Sequence, residues 1–178
     1  MKKLIRGIIV LALIAAIFLI FIYSGIYNIG ATSPHYKFTR WIISKMIDNS
    51  IKHYAGENSP SVSLTDSTVI QTGFVHYREM CSVCHGAPGV ERNEFTAGLY
   101  PKPPKLLRSA EEWKPAELFW VIKNGIKMTG MPGFGITHSD DKIWTIVAFM
   151  EKLPSMSPEQ YKTMDNISKQ TKEERIIE

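Results

Sequence analysis

Residues 81 to 85 read Cys-Ser-Val-Cys-His, and no other feature of this 178-residue chain narrows its possible folds as much. Two thiols separated by two residues, with an imidazole directly after, have the spacing needed to bond the two vinyl groups of haem while the histidine ligates its iron. A chain built this way has to fold around its cofactor, because Cys81, Cys84 and His85 must all reach one ring. Three other chemistries use part of the pattern: a thioredoxin-like dithiol, half of a zinc site and a structural disulfide. The dithiol belongs after a strand in a βαβ unit, whereas the surroundings here read as helical. A zinc site needs further thiolates, and the chain has only two cysteines. Haem attachment is the reading that uses all three side chains.

The second constraint is apolar. From Gly7 to Tyr27 the chain runs for 21 residues without a charge, and Ile8 to Ile22 is unbroken Ile, Leu, Val, Ala and Phe. At 1.5 Å per residue such a helix spans a hydrocarbon core of about 30 Å. A cleaved signal peptide shares the basic start, but its apolar region is usually about 7 to 15 residues and ends in a small-x-small site. Asn28-Ile29-Gly30-Ala31 is a poor site of that kind, and no cysteine stands just after the run to carry a lipoprotein anchor. Tyr23 and Tyr27 fall where an interfacial aromatic belt would sit. A retained anchor in a lipid bilayer is expected. Lys37, Arg40 and Lys45 beyond the run partly balance Lys2, Lys3 and Arg6 before it, so charge alone leaves the orientation open.

Composition fits one globular domain with one membrane segment, at 44% hydrophobic and 21% charged. Lys and Arg total 21 against 17 Asp and Glu, and setting aside the three bases of the first six residues leaves 18 against 17. The folded part is nearly neutral, so no nucleic-acid partner is expected.

Past Ser33-Pro34, residues 37–55 predict a second helix, with Ile43, Met46, Ile47, Ile51 and Tyr54 at helical spacing and Lys37, Arg40, Asp48 and Lys52 on another side. It has two possible seats, the lipid surface or the globular domain. The polar stretch 56–65 reads as a linker, which places the start of the compact domain near Asp66. Asp66 or Ser67 caps a helix to about Met80, with Val69, Gly73, Val75 or His76, and Tyr77 on its buried side. Residues 86–104 form a long Gly- and Pro-containing loop, 115–123 a short helix with Pro at its start and Asn124-Gly125 at its end, and 129–137 a second loop. Ser139-Asp140-Asp141 opens a helix to about Lys152. Ser157-Pro158-Glu159 caps one more short helix, and the charged tail from Ser168 is expected to fray. No internal repeat and no alternating run suggests a sheet.

A haem iron bound by His85 takes a second axial ligand or keeps an open position. The candidates are Met80, Met128, Met131, the other histidines and water. Met131 stands in Thr129-Gly130-Met131-Pro132-Gly133, where small and rigid neighbours let the backbone approach the ring and leave the thioether projecting, a context that favours it over Met128. His76 and His138 read as surface or capping residues.

With these pieces in this order, the chain resembles a membrane-anchored class I c-type cytochrome with one haem, over roughly Asp66 to Pro154. The resemblance implies an all-α fold: an N-terminal transmembrane helix followed by a class I cytochrome c fold. It implies residues 1–30 as cytoplasmic tip and anchor, 31–65 as juxtamembrane helix and linker, 66–154 as haem domain and 155–178 as C-terminal helix and tail. Gly73 and Tyr77 resemble the positions where the first helix of the domain crosses the last, with Trp144 a partner there. Pro104-Lys105-Leu106 resembles the family's Pro-x-Leu element, whose proline carbonyl accepts a hydrogen bond from the proximal histidine, here His85. Pro103 competes for that role, because Tyr100-Pro101-Lys102-Pro103-Pro104 supplies three prolines. Ser50 to Ala55 and Cys84-His-Gly-Ala-Pro-Gly89 add a resemblance to a membrane-anchored subgroup.

What the resemblance implies about function follows. Cys81 and Cys84 would hold one haem c covalently, His85 and Met131 would ligate the iron, and Pro104 would orient His85. Covalent attachment in such bacteria takes place on the outer side of the cytoplasmic membrane, so the haem domain is expected on the periplasmic or outer side. A His/Met iron has no open position for a small-molecule substrate, and its thioether ligand favours Fe(II). Trp113, Phe119, Trp120, Phe134 and Trp144 are candidates for burying the ring. The expected role is a single-electron carrier, not an enzyme, between redox protein partners: a quinol-oxidising complex or periplasmic dehydrogenase as donor, an oxidase or reductase as acceptor. A fixed haem subunit of a dehydrogenase or oxidase complex is the alternative, and a ligand-binding sensor with a displaceable Met131 a third. Between Leu99 and Gly135, six bases (Lys102, Lys105, Arg108, Lys114, Lys123, Lys127) face three acids (Glu111, Glu112, Glu117), so a basic rim for an acidic partner is expected.

Overall fold

The computed structural model describes residues 1–56, 58–107 and 112–177, with side chains as far as Gln170. The chain forms two units, Met1–Pro34 and His35–Glu178. The first is dominated by α1 (Lys2–Tyr23), long and apolar enough to cross a membrane, with none of its residues buried. At 1.5 Å per residue its length is about 33 Å. It takes in the basic tip and stops four residues short of Tyr27, where Ser24 donates to the Phe21 carbonyl and Gly25 adopts a positive φ of 67°.

The second unit is all helical among the described residues, apart from an isolated bridge between Ala87 and Val90. Its elements are α2 (Lys37–Ala55), α3 (Ser67–His76), a π-helical segment (Tyr77–Cys81), α4 (Ser82–His85), α5 (Pro115–Asn124), α6 (Asp140–Met150) and α7 (Pro158–Ile177), with short 3-10 turns at Glu94–Gly98, Phe134–Ile136 and Leu153–Ser155. Their ends follow local chemistry. Asp66 accepts from the backbone N–H groups of Thr68 (2.7 Å) and Val69 (3.2 Å), satisfying two orphan donors of α3. The Lys114 N–H donates to Glu117 at 2.8 Å in front of Pro115, and Gly125 ends α5 at φ 67°. Ser139 accepts from the Lys142 N–H, and Asp140 and Asp141 place negative charge in the first turn of α6.

The core forms where α3 crosses α6. Phe74, Tyr77, Ile143, Ile146, Val147, Phe149 and Leu153 are fully buried there. Gly73 makes the crossing possible: a Cβ at that position would stand 1.8 Å from the Thr145 carbonyl oxygen and 3.1 Å from Cβ of Phe149. The crossing was expected against Trp144, and the partners are instead Thr145 and Phe149. The Phe149 ring packs against those of Phe74 (5.4 Å) and Tyr77 (5.1 Å), while Trp144 turns to the other side of α6 and stacks on Phe119 at 4.3 Å. Phe74, absent from the expected buried side, fills the centre because α3 faces both α6 and α7.

Three boundaries differ from the sequence reading. The compact unit begins at His35, not near Asp66, because Ile51 and Ala55 of α2 are buried and α2 packs along α5. Residues 56–65 do not run free: Val62 and Leu64 pack on the core, and the Ser61 hydroxyl donates to Asp141 at 2.5 Å. The C-terminal helix is not short and does not fray at Ser168. It continues to Ile177, pinned by Tyr161 against Phe74 (5.1 Å) and by Arg78, which bonds Asp165 (3.0 Å) and the buried Ser168 hydroxyl. Those hydrogen bonds link residues 87 or more positions apart, beyond the reach of local patterning.

Candidate functional site

The residues of the 81–85 motif meet at a cavity of about 360 Å³. The helix running from α3 through the π-helical segment into α4 brings them there, with the Ser82 N–H bonding back to the Tyr77 carbonyl across five residues. The buried Tyr77 hydroxyl donates to the Gly86 carbonyl at 2.7 Å and ties this helix to the turn after His85. Gly86 takes a positive φ of 72° in that turn, so the chain leaves the helix immediately after the histidine.

Cys81 is buried and Cys84 half-buried, and both are free thiols that line the cavity. Burial, and after it the nearby Cys84, pushes the Cys81 thiol up to about 12. A thiol held neutral in this way is unsuited to dithiol redox chemistry, which needs a thiolate at neutral pH. Among the described residues no group of three or more His, Cys, Asp and Glu converges as a zinc site would require.

His85 Nδ1 lies 2.9 Å from the Pro104 carbonyl oxygen. A carbonyl only accepts, so Nδ1 carries the proton and Nε2 is left with its lone pair. Burial lowers the imidazole pKa, the Pro104 bond opposes that, and Arg92 lowers it further, with a net downward shift that favours the neutral, metal-binding form. The Pro103 carbonyl is engaged differently, accepting from Arg92 at 2.5 Å.

The 129–133 loop also lines the cavity. Met131 is half-buried in the lining, whereas Met128 is 95% exposed and outside it. Two glycines seat this loop on the end of α5 through backbone contact. A Cβ on Gly125 would come within 2.7 Å of Met131 O, Pro132 C and Gly133 N, and one on Gly133 would meet the Asn124 carbonyl oxygen at 2.7 Å. The Ile126 N–H donates to Met131 O at 3.1 Å, and the Met131 N–H to the Thr129 hydroxyl at 3.1 Å. Met80 also lines the cavity, next to the motif. Of the histidines, His85 alone lines it among the described residues. His138 instead bonds Thr137 (2.8 Å), and His76 is half-buried elsewhere.

The remaining walls are apolar, from Leu106, Trp113, Leu118, Val121, Ile122, Phe134 and Met150. Of the five aromatics expected around the ring, Trp113 and Phe134 line the cavity. Phe119 and Trp144 stack on each other, and Trp120 stacks on Tyr54 at 6.1 Å. The sequence reading missed one wall, Ile47 and Ile51 of α2. Their i, i+4 spacing with Ala55 is the available signal, and the neighbouring apolar residues Met46 and Tyr54 on the same helix obscure it. The basic rim is partly neutralised: Lys123 pairs with Asp140 at 2.8 Å. Lys102, Lys105 and Lys127 are exposed, Lys102 at the cavity edge, and Arg108 and Glu111 lie outside the described residues.

An apolar cavity lined by two free thiols, a neutral imidazole and a thioether fits haem in every donor it offers. The fold and this site define a c-type cytochrome domain, made for haem c binding and electron transport. Residues 68–150, spanning α3 to α6, match the family described as cytochrome c oxidase, cbb3-type, subunit III, and this stretch is a c-type cytochrome domain that follows an N-terminal apolar helix. No curated protein matched the chain.

Proposed function

We propose that this chain is a membrane-anchored monohaem cytochrome that carries single electrons, with its haem domain on the outer face of a bacterial cytoplasmic membrane. The observation that carries the reading is that both thiols, His85 and Met131 line one apolar cavity while Pro104 holds His85 in the ligating tautomer. When bound, haem supplies an iron that alternates between two oxidation states. The protein does the rest. Cys81 and Cys84 would hold the haem through thioether bonds to its vinyl groups. His85 Nε2 and the Met131 sulfur would ligate the iron, and the thioether would bias it toward Fe(II). The apolar walls exclude water, which limits reorganisation when the charge changes.

Met131→Ala is expected to open the site to exogenous ligands and to abolish the weak far-red sulfur-to-iron band of the oxidised protein, with Met128→Ala unchanged. Absorption spectra with and without added imidazole check this. Loss of the band in Met128→Ala alone would move the ligand role to Met128.

A second reading, a fixed haem subunit, is favoured by the family match, whose description names an oxidase subunit. Solubilisation in mild detergent separates the two. A carrier is expected to elute alone, and partners recovered at constant stoichiometry would make the chain a subunit.

A further inference from the structure

One face of α2 is accounted for and the opposite one is not. Ile47 and Ile51 line the haem cavity, and Ile51 is 2% exposed. On the far side Phe38, Trp41, Ile42, Lys45 and Met46 follow at i, i+3, i+4, i+7 and i+8, which sets them in one stripe. Phe38 is 71% exposed, Trp41 58% and Met46 65%, and the rings of Phe38 and Trp41 stack 6.1 Å apart. Large apolar side chains left open in a row at helical spacing mark a contact surface.

Three observations select lipid as the occupant. Trp and Phe beside Lys are the side chains that favour the boundary between headgroups and acyl chains. Lys45 stands within the stripe and Lys52 beside it, and their charge complements anionic headgroups. Finally, only residues 24–36 separate α2 from the end of α1. Fully extended they reach about 45 Å, so a bilayer crossed by α1 is always within range of α2.

We propose that α2 is an interfacial helix, its Phe38–Trp41–Met46 stripe seated in the headgroup layer of the bilayer that α1 crosses while its opposite face forms a wall of the haem cavity. The proposal rests on α1 being a retained span.

The test uses the full-length holoprotein in vesicles of mixed phosphatidylcholine and phosphatidylglycerol, part of the former brominated near the headgroup. Tryptophan emission is read for the native chain, Trp41→Phe, and Phe38→Glu with Met46→Glu. The expected result is loss of most of the Trp41 component to the bromines, no such component in Trp41→Phe, and its return in the double glutamate variant, with all three chains retained after an alkaline wash. Unquenched Trp41 in vesicles that retain the chain would overturn the interfacial helix and leave the anchor standing. Release of the chain by alkali would overturn the anchor, and this proposal with it. Shielding of Trp41 that appears only when a membrane protein complex is added would make the stripe a protein interface and overturn the proposal.

Discussion

Gly73→Ala is expected to cost about 3 kcal/mol or more of stability, because an added Cβ there meets its neighbours more closely than at any other glycine. The added Cβ would stand 1.8 Å from the Thr145 carbonyl oxygen, and that oxygen belongs to a helix backbone that cannot rotate aside as a side chain can. To make room, α3 and α6 must separate by more than an ångström along the line where Phe74, Tyr77 and Phe149 are fully buried. Close packing at that crossing would be lost as well as the clash relieved. Thermal unfolding of the holoprotein followed by circular dichroism checks this, with a drop of about 10 °C expected at the scale of roughly 2 to 4 °C per kcal/mol. Gly98→Ala is the control, since nothing lies within 4 Å of a Cβ there. Equal melting of the two variants would mean that α3 and α6 do not cross as described.

Cys81→Ser combined with Cys84→Ser is expected to remove all haem that survives boiling in detergent, read by peroxidase staining after denaturing electrophoresis. The loss should be complete, because the remaining attachments are coordinate bonds that denaturation breaks. Each serine is close to cysteine in shape, though more polar, and its hydroxyl does not add to a vinyl group under these conditions, so stained haem reports the covalent bond. Stained haem persisting in the double variant would place the attachment elsewhere.

The site was legible in the sequence where its chemistry is local. Five consecutive residues specify both thiols and the histidine, and Gly-Met-Pro-Gly separates Met131 from Met128 by backbone chemistry alone. The helix ends were legible for the same reason, since Asp66 and Ser139 accept from N–H groups two or three residues away and Pro115 presets the first turn of α5. The misses are long-range. That Gly73 meets Thr145 and Phe149 instead of Trp144 depends on the rotation of α6, which Trp144 and Phe149 both satisfy as apolar faces. That Ile47 and Ile51 wall the cavity depends on α2 packing along α5, and a helix with apolar residues on two sides does not say which side is inward. The extension of α7 past Ser168 depends on Arg78, whose partner lies 87 residues away.

The π-helical segment between α3 and α4 has a geometric consequence for the whole domain. A π turn holds one residue more than an α turn, so everything after it is rotated by about 100° relative to an unbroken helix. Gly73, Phe74 and Tyr77 belong to one angular setting, fixed by α6. Cys81, Cys84 and His85 belong to another, fixed by the cavity. The helix therefore works as two segments out of phase, and the extra residue at Tyr77–Cys81 is the offset that lets one continuous rod serve two surfaces that do not share a direction.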